Sequence, residues 1–219
     1  MSDKMNMADR LAVFLTERRA LVIAVLAVAV IIIVAAAVWA PIRDNMVDKN
    51  AMAAEEIDEL YSQWMFSFDD EKPNLEEEFL STTEAVLAKG GANYAVQRAY
   101  FMRGQYYITQ EMWTEASTDF VALADGFPQS YLAPVSLFNA AAAMEEAAMA
   151  SEAALLYERL VNEYGENAPE AAEALFNMAR LAEEAGDNTK ATEYYETLIA
   201  DYGTTDWKNI AKTRILLMN

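Results

Sequence analysis

The chain has 219 residues with no cysteine and no histidine, and its formal net charge is −19. That length fits one or at most two domains. Without cysteine there is no disulfide frame, thiolate metal site, catalytic thiol or lipidated N-terminal cysteine. Without histidine, zinc sites and histidine-based acid–base chemistry are excluded. The negative charge repels nucleic acid, and it suits a solvated surface that keeps an alanine-rich chain soluble.

Residues 1–19 are a short polar tail, expected on the cytoplasmic side, in which Lys4, Arg10, Arg18 and Arg19 stand against Asp3, Asp9 and Glu17. Met7, Leu11, Phe14 and Leu15 recur at helical spacing, which fits either an amphipathic helix on a membrane surface or an extension of the apolar segment after it. From 20 to 42 the chain is uncharged and almost wholly apolar. At about 1.5 Å per residue this span covers about 34 Å, enough for a hydrocarbon core of about 30 Å. Trp39 sits where an interfacial aromatic belongs. Arg10, Arg18 and Arg19 precede the span, whereas Arg43 and Lys49 come mixed with Asp44 and Asp48, a bias that puts the N-terminus in the cytoplasm. A cleavable signal peptide is the rival reading, with Val38-Trp39-Ala40 loosely like a cleavage site. Such apolar cores usually run about 7–15 residues, so a permanent anchor is preferred. Small residues in the span (Ala27, Ala29, Ala35, Ala36, Ala37) suit packing on another membrane helix, or are filler.

Residues 43–95 are acidic and predict a helical hairpin. Ile57, Leu60, Tyr61 and Trp64 keep helical spacing, Asp69-Asp70-Glu71-Lys72-Pro73-Asn74 breaks it, and a second helix over 75–88 stops at Gly90-Gly91. This hairpin reads as a degenerate first repeat that caps a stack. Its carboxylate runs (Glu55-Glu56, Asp58-Glu59, Glu76-Glu77-Glu78) point to different sides of a helix and form no calcium cage.

The rest of the chain is built on a duplication. Sliding 172–203 back by 38 residues puts Leu175-Phe176-Asn177 on Leu137-Phe138-Asn139 and Glu183-Glu184-Ala185 on Glu145-Glu146-Ala147. Ala191, Tyr195, Glu196, Leu198 and Tyr202-Gly203 fall on Ala153, Tyr157, Glu158, Leu160 and Tyr164-Gly165. A third copy lies 37 residues upstream: Tyr100-Phe101, Gly104, Tyr107, Ala116, Phe120, Leu123 and Phe127-Pro128. A fixed period near 40 is the mark of a stacked helical repeat. The upstream copy reads Tyr100-x2-Arg103-Gly104-x2-Tyr107, then Ala116-x3-Phe120, then Pro128. It resembles the tetratricopeptide pattern W-x2-L-G-x2-Y, A-x3-F, P. Three units follow, about 97–130, 134–167 and 172–205 within 96–204, with a closing helix in 205–219 whose apolar side is Ile210, Ala211, Arg214, Ile215 and Leu217. In each unit a tiny residue (Gly104, Ala141, Ala179) is expected to let the first helix approach the second at Ala116, Ala153 and Ala191. The aromatics Phe120, Tyr157 and Tyr195 fill the space beside them. Thr114, Ser151 and Thr189 are the expected N-caps of the second helices. Gly126-Phe127-Pro128, Tyr164-Gly165 and Tyr202-Gly203 are the stops. The fold class is therefore all-α: one N-terminal transmembrane helix followed by an α-solenoid of tetratricopeptide hairpins.

The resemblance implies that the first helices line a groove for extended or helical protein segments. The matching positions are Arg98, Phe101, Met102 and Gln105; Phe138, Asn139 and Ala142; and Phe176, Asn177 and Arg180. Phe101, Phe138 and Phe176 share one repeat position, so they either form an aromatic ladder along the groove or pack between pairs and hold the stack. Asn139 and Asn177 are placed to grip a peptide backbone. The lysines of a carboxylate clamp are missing, which argues against capture of peptide C-termini.

The whole layout (basic tail, one span, acidic tetratricopeptide ectodomain) resembles the YfgM-like ancillary subunits of the bacterial Sec translocon. That resemblance implies an inner-membrane protein with a periplasmic repeat domain, whose partners are the SecYEG channel, a membrane-anchored prolyl isomerase and exported chains. Similar outer-membrane assembly proteins are soluble or anchored through a lipidated cysteine, which is absent here. A chaperone-like export accessory and a structural adaptor of another envelope complex both fit. An enzyme does not: no Ser-x-x-Lys dyad or glycine-rich phosphate loop stands out. No cofactor and no small-molecule ligand is expected.

Overall fold

The computed structural model describes Met7 and residues 14–218; Leu11 of the amphipathic N-terminal pattern and Asp3, Lys4, Asp9 and Arg10 of the charged tail lie outside the described residues. The described residues contain helices, turns and bends and no strand. Two compact units divide the chain, Met1–Lys49 and Asn50–Asn219.

Helix α1 (Arg19–Phe66) is 48 residues long and contains Pro41. The expected end of the helix near 42 is not seen. Proline removes one backbone hydrogen bond and bends a helix without always ending it, and Arg43, Met46, Lys49, Ala51, Met52, Ala53 and Ala54 after it are good helix formers. Within the first unit its apolar side chains face outward; Ile31, Ile32 and Ile33 are 67%, 62% and 66% exposed. By length and composition this helix can cross a membrane, with a mean hydropathy of 3.4 over its most apolar window.

The second unit begins with the last part of α1, which buries Ala54, Ile57, Leu60, Tyr61 and Trp64. Helix α2 (Lys72–Lys89) adds Phe79, Thr83 and Val86 to the same core. It starts earlier than the expected 75 because Pro73 fits the first turn, where its missing N–H has no partner to lose. Gly90, at a φ of +64°, ends it. The rings of Tyr61, Trp64, Phe79 and Tyr106 then join in tilted contacts 5.0–5.7 Å apart. Tyr106 comes from the next helix, so this hairpin packs on the repeats through aromatic rings.

Three antiparallel pairs follow: α3 (Tyr94–Thr109) with α4 (Trp113–Gly126), α5 (Leu132–Glu146) with α6 (Ala150–Tyr164), and α7 (Ala171–Glu184) with α8 (Asn188–Asp201). Each pair turns through one left-handed residue at the same repeat position: Glu111 at φ +57°, Ala148 at +58° and Gly186 at +79°. The amide after it reaches back to the first helix: Met112 donates to Tyr107 O at 2.9 Å, Met149 to Met144 O at 2.8 Å and Asp187 to Ala182 O at 2.9 Å. This turn starts the second helices early. Thr114, Ser151 and Thr189 therefore lie inside the first turn, and the N-cap residues are Met112, Met149 and Asp187. Of the three only Asp187 caps with its side chain, accepting from the Lys190 N–H at 3.0 Å.

Packing within the pairs also differs from expectation in one detail. A Cβ added to Gly104 would stand 2.7 Å from Cε1 of Phe120, so the close approach is to the aromatic ring rather than to Ala116. Phe120, Tyr157 and Tyr195 are buried, as are Ala116, Ala153 and Ala191.

Closing helix α9 (Trp207–Met218) buries Ala211, and Trp207, Ile215 and Met218 pack against the main core. The expected apolar side is thus corrected: Ile210 and Leu217 are exposed, and the 4-4-3 spacing from Trp207 sets the inward stripe. Trp207 anchors it, its ring 4.9 Å from that of Phe176.

Candidate partner-binding groove

The first helices α3, α5 and α7 carry every groove position expected from the repeat. The three phenylalanines are half-buried, and each leans on the aromatic of its own second helix. Phe101 meets Phe120 at 5.7 Å, Phe138 meets Tyr157 at 5.5 Å, and Phe176 meets Tyr195 at 5.6 Å. Among the described residues no ring contact joins these phenylalanines to one another. Each one packs on its own pair and stays partly exposed, while Phe101 also reaches the neighbouring cores and Phe176 also meets Trp207 of α9. Met102, placed in the groove from sequence, is buried in the first core instead.

The polar candidates separate into committed and open groups. Arg98 donates to Asp58 Oδ1 from Nε at 3.0 Å and from an Nη at 2.7 Å, and lies over the Phe101 ring. It fastens α3 to the capping hairpin. Asn177 donates to the Tyr157 hydroxyl at 3.2 Å, and that hydroxyl donates to Glu145 at 2.8 Å. Arg180 pairs with Glu145 on the preceding unit and with Glu184 on its own helix. Burial, and then donation to Glu145, push the Tyr157 hydroxyl well above its ordinary range, so it is a fixed proton donor. Asn139 and Gln105 are half-buried, and among the described residues their side chains make no hydrogen bond. They are the free polar groups of the groove.

The next junction repeats the arrangement with changed parts. Glu183, aligned with Glu145, pairs with Arg214 of α9, and Tyr195 beside it is pushed up to about 12, by burial first and then by the carboxylate. Burial opposes the charge of Glu183, yet the Arg214 guanidinium prevails and holds its carboxyl below the usual range. A depressed carboxyl stabilises the fold fully above its unfolded value of about 4.3 and loses that contribution as pH falls through the lower folded value. Hydrogen exchange resolved to the 207–218 peptide, corrected for intrinsic rates, is therefore expected to lose protection on acidification below about pH 4. Glu183→Gln is expected to lower protection at neutral pH and to remove that acid step.

The linking carboxylates and tyrosines are not among the groove residues expected from sequence. The aligned pairs Glu145 with Glu183 and Tyr157 with Tyr195 were the available signal, since a charged residue kept at one repeat position beside a buried tyrosine marks a junction. Arg103 and Asp119 were missed as well. Arg103 stands where the repeat pattern has leucine, and it meets Asp119 in two 2.7 Å hydrogen bonds. Residues 50–219 contain 30 Asp and Glu against 10 Lys and Arg. All five of their arginines are ion-paired. Outside these pairs the surface field is negative. Among the described residues no group of three carboxylates is placed to hold a metal ion.

Stacked antiparallel pairs with one recurring position on each first helix define an all-α helical-repeat scaffold. The family model for the tetratricopeptide repeat matches residues 173–205, the third pair. Together with the helical pairs, this match supports a tetratricopeptide repeat protein, a class that typically binds other proteins and performs no catalysis. No curated protein matches the chain.

Proposed function

We propose that the chain is a membrane-anchored protein-binding module whose repeats face the periplasm, acting as a chaperone-like accessory of export at the Sec translocon. The observation that carries the binding reading is the groove side of α3, α5 and α7. Half-buried phenylalanine edges recur there once per unit, with the unsatisfied amides of Asn139 and Gln105 beside them. Apolar edges accept varied side chains, and an open amide matches the donor and acceptor of any peptide backbone. The apolar window of α1 and the arginines before it support anchoring with the N-terminus in the cytoplasm. The Sec assignment rests on the likeness of layout to YfgM-like subunits.

A fixed adaptor in another envelope complex is the second reading. It is favoured by the committed state of Arg98, Asn177 and Arg180, which makes much of the groove rigid, and a rigid surface suits one partner. A photoreactive residue at Asn139, crosslinked in intact membranes, separates the two. The export reading expects translocon subunits together with a spread of exported chains. One stoichiometric partner without translocon subunits refutes that reading and makes the chain an adaptor.

A further inference from the structure

A cleft of about 400 Å³ opens between the second helices α6 and α8 over α7, on residues that the groove does not use. This is within the range of about 300–1,000 Å³ typical of ligand pockets. Ala150, Ala154, Leu155 and Tyr194 wall it, and Met178 and Leu181 lie in its floor. The chain contains its own comparison one repeat upstream. There Trp113, aligned with Ala150, packs half-buried against the cluster that Ala116, Phe120, Ala140 and Ala143 form. Ala140 and Ala143 are the counterparts of Met178 and Leu181. One junction therefore carries an indole against its core, while the next has a methyl group at that position and an open cleft. Leu155 is 64% exposed at the lip, whereas its counterparts are Thr118 and Glu193, as a solvated helix face requires. The lip thus presents apolar surface that the fold itself does not cover.

We propose that this cleft is a second docking site, which takes an aromatic side chain carried on a basic segment of a protein partner. Trp113 in the upstream junction sets the aromatic preference. The basic preference follows from charge: Glu158 and Asp187 border the cleft, and its one lysine, Lys190, lies over the Tyr194 ring at 5.5 Å. Around it, carboxylates outnumber cations threefold in residues 50–219. An approaching Lys- or Arg-flanked segment is drawn in by this field.

The test uses the full chain in neutral detergent and the fluorescein-labelled peptide Lys-Lys-Trp-Leu-Lys-Lys, read by anisotropy with binding to empty micelles subtracted. Binding is expected to weaken as salt rises and the Debye length shortens. It is expected to weaken by about tenfold in Ala154→Trp, which fills the cleft, and by about fivefold in Leu155→Ser, and to be unchanged in Leu216→Ser, an exposed apolar residue of α9 outside both sites. The peptides Glu-Glu-Trp-Leu-Glu-Glu and Lys-Lys-Ser-Ser-Lys-Lys are expected to bind far more weakly. Should Ala154→Trp lose helicity by circular dichroism, the exposed Leu155→Ser carries the comparison. Equal binding to wild type and Leu155→Ser, equal binding of the acidic peptide, or loss of binding in Asn139→Ala alone overturns the proposal. So does a dimer mass in wild type that Leu155→Ser abolishes, because the occupant is then a second copy of the chain.

Discussion

Arg103→Met is expected to destabilise the second unit by about 3–5 kcal/mol, the cost of leaving one member of a buried ion pair without its partner. The Asp119 side chain is only 6% exposed, and among the described residues Arg103 is its one ion partner. Without the guanidinium, a carboxylate remains inside the α3–α4 pair with its hydration gone and nothing in return. The chain itself suggests the rescue. At the same two positions the later units carry Ala140 with Leu156 and Met178 with Tyr194, apolar pairs that close the helices without charge. Arg103→Met with Asp119→Leu is therefore expected to recover most of the loss, as buried pairs replaced whole by hydrophobes often do. Urea unfolding followed by circular dichroism checks both. If the single and double variants are equally unstable, the ion pair is not what holds this hairpin. A single variant within about 1 kcal/mol of wild type means that Asp119 finds water.

Gly104→Leu is expected to cost about 3 kcal/mol or more, at the upper end of overpacking. The first added carbon would stand 2.7–3.0 Å from three ring atoms of Phe120, and that ring has no room to retreat because it is fully buried. Phe101 also leans on it. Gly104→Ala is milder: the same clash is partly offset by about 1 kcal/mol of helix propensity. Phe120→Ala alone should cost about 3–5 kcal/mol through its cavity, but combined with Gly104→Leu the new side chain enters that space. The double variant is expected to be more stable than the sum of the singles by at least about 2 kcal/mol, within the range of coupling between residues in contact. Strict additivity would show that the two residues do not share a boundary. Because each unit of a solenoid is held by its neighbours, loss of this pair should also raise hydrogen exchange in α5 and α6.

Much of the fold was legible in the residues. Ala116, Ala153 and Ala191 recur with Phe120, Tyr157 and Tyr195 four positions on, which is enough to set helix period, pair and core, because one stripe of each helix must be buried. The apolar run from 20 to 42 is long and apolar enough to cross a membrane, a property of length and composition that needs no tertiary structure to be read. Local and tertiary rules conflict at the helix starts and in α9. Thr114, Ser151 and Thr189 are good cap residues, but the left-handed turns at Glu111, Ala148 and Gly186 start each helix before them. Ala211 and Ile215 face the core as their spacing leads one to expect, but with Trp207 set against Phe176 the inward stripe runs through Met218 and leaves Ile210 and Leu217 exposed.

The groove shows the same division. Its residue positions follow from the repeat register, which is a property of sequence alone. Whether a side chain there is available depends on which other helix comes near. Arg98 is spent on Asp58, 40 residues away, and Arg180 on Glu145, 35 residues away. No local pattern encodes those separations. Asn139 and Asn177 are identical in repeat position, yet only Asn177 faces a hydroxyl. The unit before it offers Tyr157, whereas the unit before Asn139 has Phe120 at that position, with no hydroxyl to accept. By itself the sequence determined the helical repeat, the apolar N-terminal run and the negative charge, since each is written in composition or period. The tertiary structure alone decided which groove groups are free and that a cleft stays open beside Leu155, because both depend on contacts between helices far apart in the chain.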